Sequence, residues 1–141
     1  MRIRSPKNPA RALLVVAVLA VAACRSEPPP AAKLPPRAIT GWREVSSWKG
    51  RGNAQLDTFA IDSWDWRIRW DTRNESPAGR GTFRVELHSA DSGRLIAVAV
   101  DARGVGHDTA NISELPHRYF LTVDSKNVDW ALTVEEAVLS P

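Results

Sequence analysis

The side chains that could do chemistry here are one cysteine, three histidines, a scatter of carboxylates and six tryptophans. Cys24 is the only thiol, so any cysteine nucleophile would have to be this residue. His88, His107 and His117 lie far apart in the chain. Zinc needs three or four converging ligands, and their spacing offers no such group. Asp57, Asp62, Asp65 and Asp71 are spread along the chain without the tight oxygen-rich loop that calcium requires. There is no Gly-x-Ser-x-Gly elbow, no His-Glu-x-x-His pair and no phosphate-cradling Gly-x-x-x-x-Gly-Lys. Trp48-Lys49-Gly50-Arg51-Gly52 contains a Gly-x-Gly, but it reads as a strand end entering a turn. The expectation is a protein without catalytic residues, metal ligands or cofactor, and not an enzyme.

The tryptophans carry the stronger signal. They are Trp42, Trp48, Trp64, Trp66, Trp70 and Trp130. Indole joins a broad apolar face to one N–H donor, which suits either a core or a platform for sugar rings. Four of the six fall on the apolar parity of clear strands and are expected in the core. Trp42 and Trp48 share parity with Glu44 and Ser46, so they are the candidates for exposure and for ligand binding.

The position of Cys24 says more than its thiol. It follows a run of 12 apolar residues, Ala12 to Ala23, preceded by Arg2, Arg4, Lys7 and Arg11. A basic start, a short apolar core and small residues before a cut site make an export signal. As a helix the run is about 18 Å long, too short to span a bilayer. A free thiol is unusual in an oxidising compartment. Val21-Ala22-Ala23-Cys24 resembles the lipobox of bacterial lipoproteins. That resemblance implies cleavage after residue 23 and attachment of the protein to a membrane through a lipidated Cys24. Two or three acyl chains would carry it past the marginal binding of one. It also implies the cell envelope as location. Arg25 is not the aspartate that marks inner-membrane retention, which favours the periplasmic side of an outer membrane where the organism has two.

Removing 1–23 changes the charge. The whole chain carries +3, with 19 basic and 16 acidic residues. The four basic residues of the signal leave with it, so 15 basic groups remain against the same 16 acidic ones. No net positive field is left to draw in nucleic acid.

Residues 24–39 form the expected linker. Positions 25–38 hold five prolines and no aromatic residue. This composition favours extended polyproline II and cannot build a core. Residues 40–141 are then a single domain.

The domain reads as all-β. Trp64-Asp65-Trp66-Arg67-Ile68-Arg69-Trp70 alternates strictly, and so does Phe83 to His88. Residues 80–101 form a hairpin through Asp91-Ser92-Gly93. Further strands are expected at 43–49, 57–62, 107–112, 118–124 and 128–136, with Ser125-Lys126-Asn127 closing a final hairpin. Leu95 to Val100 is apolar on both faces, so it is either a covered central strand or one whose Leu/Ala face meets a partner. About eight short strands point to an antiparallel β-sandwich or jelly roll, with a small barrel as the other option. Trp64, Trp66, Ile68 and Trp70 are expected to supply much of the core.

Two segments together, Trp48 to Trp70 and Leu115 to Val134, resemble secreted β-sandwich domains of bacteria that have no characterised activity. The resemblance rests on core and turn residues and implies a fold, not a reaction. The expected function is a lipid-anchored, non-catalytic binding or structural module with an envelope protein or glycan as partner. A carbohydrate or cell-wall module using Trp42 and Trp48 is the second reading, and a hydrolase on a jelly-roll scaffold the third.

Overall fold

The computed structural model describes residues 37–140. The signal, Cys24 and the linker up to residue 36 lie outside the described residues. Among the described residues nine strands follow one another without a helix: β1 (Ile39–Arg51), β2 (Ala54–Gln55), β3 (Phe59–Ile61), β4 (Trp66–Arg73), β5 (Thr82–Ser89), β6 (Leu95–Arg103), β7 (Gly106–Ile112), β8 (His117–Lys126) and β9 (Asp129–Leu139). They form two antiparallel sheets packed as a β-sandwich. One sheet has four strands in the order β1-β9-β4-β7. The other has five, with order β2-β8-β5-β6 and β3 also on β8.

Period-two patterning builds the core. Ile68, Phe83, Val85, Leu87, Leu121, Leu132 and Val134 are fully buried between the sheets. Aromatic rings fill the remaining width. Phe59 contacts Trp48, Trp66 and Tyr119, with Trp66 stacked on Tyr119 at 5.4 Å between centroids. A second group joins Trp70, Phe83 and Trp130. The Tyr119 hydroxyl donates to the Leu115 carbonyl at 2.5 Å, tying the arch between sheets to the strand it enters.

Four expectations need correction. Trp64 is not in the core: it precedes β4 in a bend and is 64 % exposed. The backbone around it is bonded elsewhere, because the Glu136 carboxylate accepts the Asp62 and Ser63 amides and Ala137 N–H donates to Asp65 O. Of the two readings of Leu95–Val100, the covered central strand is overturned, since the segment lies in β6 at the edge of its sheet. Its doubled apolar faces come from two β-bulges: against β5 the register passes over Ala99 and then Ile96. Each extra residue reverses the alternation and turns an additional side chain toward the core. Residues 125–127 do not close a hairpin either, since β8 and β9 belong to different sheets. Asn127 takes a left-handed φ of 60° and Val128 plugs the core, so the chain arches from one sheet to the other. The expected strand 57–62 reduces to Phe59–Ile61, with a separate short pairing at Ala54–Gln55.

Candidate functional site

The outward face of the four-stranded sheet is built in rows that cross it. One row runs Lys49, Ala131, Asp71, His107 and the next Ser47, Thr133, Arg69, Thr109. A third runs Glu44, Glu135, Arg67, Asn111. Almost every position carries a charge, hydroxyl or amide. Ala131 is the small one, and two clefts of about 440 Å³ meet over it. One is lined by Lys49, Asp71, Arg73, Asn74 and Asp129, the other by Arg69, His107, Asp108, Thr109 and Thr133. Together they make a polar trough across the sheet.

Its walls are held by ion pairs. The Arg51 guanidinium donates to Asp129 at 2.8 Å and Asn74 Nδ2 donates to the other carboxylate oxygen at 2.7 Å. These two donors, Asn74 first, hold the Asp129 carboxyl below its usual range. Glu135 is nearly buried; Arg67 Nε donates to it at 2.6 Å and Arg69 Nη1 at 3.2 Å. Burial pushes its carboxyl up, but the two arginines outweigh this and leave it below the usual range.

Trp42 and Trp48 end up on opposite faces of β1. Between Glu44 and Ser46 the register against β9 passes over Val45. Before that bulge Trp42 and Glu44 face outward; after it Trp48 faces the core. Trp48 lies 5.8 Å from Phe59. Trp42 is half-buried, and the Arg67 guanidinium sits 4.0 Å above its ring centre, so one face of that indole is taken by a cation.

The bend at 62–65 forms a third, separate cleft, of about 490 Å³, lined by Arg37, Arg43, Asp62, Trp64, Glu136 and Val138 among others. Glu136 organises it. Its side chain accepts from Arg43 as well as from the Asp62 and Ser63 amides. Burial raises the Glu136 carboxyl, but these donors bring it below the usual range. Trp64 alternates exactly with Trp66, so nothing in its parity marks it as exposed; the Glu136 carboxylate holds the two amides before it, and β4 begins only at Trp66.

The histidines stay apart. His88 stacks on Phe120 with centroids 5.0 Å apart, and its ring nitrogens bond Gly93 O and Thr122 Oγ1, each at 3.2 Å. His117 pairs with Asp91 at 3.1 Å. His107 lines the trough. Among the described residues no three His, Cys, Asp or Glu side chains converge as metal ligands. Among them, too, no helix is long and apolar enough to cross a membrane. Cys24, the expected lipidation site, lies outside the described residues. Compared with known proteins, the chain matches no family model and no curated sequence.

Proposed function

We propose that this protein is a non-catalytic binding module of the cell envelope, anchored through lipidated Cys24 and presenting the polar trough of the four-stranded sheet to a glycan or an envelope protein. The observation that carries this reading is the trough itself: cations, carboxylates and hydroxyls arrayed across a sheet around the alanine floor of Ala131. Such a surface sets many oriented donors and acceptors beside apolar area from Gly50, Trp130 and Ala131, a mixture that suits a sugar or a mixed protein surface. The three carboxylates with shifted pKa are poorly suited to act as general acids. A general acid works best with a pKa near the operating pH, whereas Glu135, Glu136 and Asp129 are all shifted the other way. The anchor reading rests on the sequence around Cys24, and the outer-membrane location on Arg25.

The test is binding of the full-length protein to purified peptidoglycan by co-sedimentation, with affinity capture from envelope extracts beside it. Ala131→Arg places a large cation in the trough on an outward position and leaves the core untouched. The reading expects bound wall material or a captured protein to be lost in that variant. Retention of every bound component by Ala131→Arg would overturn the trough as the binding surface.

A further inference from the structure

We infer that the end of the sandwich where the chain enters is a membrane-contact patch, seated on the same lipid surface that holds Cys24. The inference rests on the anchor reading proposed above.

Seven large apolar side chains are exposed among the described residues, and three of them, Ile39, Trp64 and Val138, gather at this end. Ile39 opens β1 and pairs with Leu139, while Val138 pairs with Gly41. Trp64 lines one cleft with Val138 and Leu139. Ile39, Trp64 and Val138 are respectively 46 %, 64 % and 44 % exposed. Among the described residues, nothing lies within 4 Å of a Cβ placed at Gly41, the residue that pairs with Val138.

Trp64 is not exposed through looseness. Asp62 N–H and Ser63 N–H donate to Glu136 at 2.8 and 3.3 Å, and Asp65 O accepts from Ala137 at 2.9 Å. The backbone on both sides of the indole is therefore held while the ring projects. An apolar ring with one N–H donor, flanked by aliphatic residues, matches the headgroup level of a bilayer, where tryptophan concentrates.

The chain that leads away from this end identifies the occupant. Arg37, the first described residue, lines the cleft beside Trp64. It stands only 13 residues after Cys24. An acylated Cys24 thus places a lipid surface within tether reach of this end of the domain. A long cation at the rim can lay its stem on apolar surface and keep its charge among the phosphates. Tethering makes the contact intramolecular, so a patch too weak to bind lipid alone is sufficient. From Val138 to Ala131 is seven residues of β9, or roughly 24 Å at about 3.4 Å each. A domain seated on this patch would hold the trough clear of the headgroups.

The test uses the full-length acylated protein in vesicles of phosphatidylethanolamine and phosphatidylglycerol whose acyl chains carry bromine near the headgroup. Flotation reports the anchor and bromine quenching of tryptophan reports the patch. The expected result is flotation of wild type, Trp64→Ser and Val138→Lys alike, with quenching in wild type, its loss in Trp64→Ser and its weakening in Val138→Lys. Flotation with no quenching, or quenching unchanged in Trp64→Ser, would overturn the patch and leave the anchor standing. A Trp64 signal that responds to peptidoglycan fragments and not to brominated lipid would overturn it in favour of a glycan site. Failure to float would remove the anchor reading, and the patch with it.

Discussion

At the scale of single residues, two adjacent carboxylates on β9 do different work. Glu135 faces outward and is clasped by Arg67 and Arg69; Glu136 faces inward and holds the bend that carries Trp64. Replacing Glu136 with Gln keeps the shape but removes the charge-assisted bonds, and we expect a loss of about 1–3 kcal/mol in urea unfolding. Release of the bend should also shift the Trp64 emission in the folded state, a change that Glu135→Gln should not produce. Tyr119→Phe tests the arch between the sheets. It removes the bond to Leu115 O while keeping the ring against Trp66, and should cost about 1 kcal/mol. Unchanged stability in that variant would show that the hydroxyl contributes nothing to the arch.

At the scale of elements, the parts of the fold legible in the sequence are those where alternation runs uninterrupted. Phe83-Val85-Leu87 and Tyr119-Leu121-Val123 lie in the core as their parity requires. What stayed hidden are single-residue events. One extra residue at Val45 sends Trp42 and Trp48 to opposite faces, although both occupy even positions. Two more at Ala99 and Ile96 make an edge strand read like a central one. Bulges carry no reliable residue signature, and their effect on parity is complete. The trough was invisible for a related reason, since its members come from four strands and meet only through register. Bulging also blunts the exposed edge of β6 against pairing with other chains. Val98→Lys, on this edge, should therefore alter stability by less than about 0.5 kcal/mol by thermal unfolding. The arch after β8 has less room. A Cβ at Gly81 would stand 2.6 Å from Val128 Cγ1, which is fully buried. Gly81→Ala should destabilise by about 1–3 kcal/mol, measured in the same urea titration.

At the scale of the whole molecule, Glu135, Glu136 and Asp129 share one pH dependence. All three carboxyls are lowered in the folded protein. Each contributes stability that is present above the ordinary carboxylate pKa near 4 and is lost as pH falls through the lowered one. The folded state should weaken on acidification below about pH 4, and Glu136→Gln should flatten that dependence in unfolding curves recorded across the range. The proposed anchor has its own check at this scale. Cys24→Ala should abolish labelling by radioactive fatty acid and release the protein from the membrane fraction; unchanged fractionation would exclude acylation as the means of attachment.

The pairing of the first strand with the last has a mechanical consequence. β1 and β9 run antiparallel from Ile39↔Leu139 to Arg51↔Asp129, and Ser140 N–H closes the end on Ala38 O. A pull from the linker enters at the start of β1. If something bound at the trough resists, the force runs along the strand and loads the whole β1–β9 ladder in shear, so its bonds must fail together. A pull on the C-terminus against the N-terminus would instead open the same ladder like a zip, one pair after another. A domain strung between a membrane and a partner at its far end is strong in the direction in which it would be stretched.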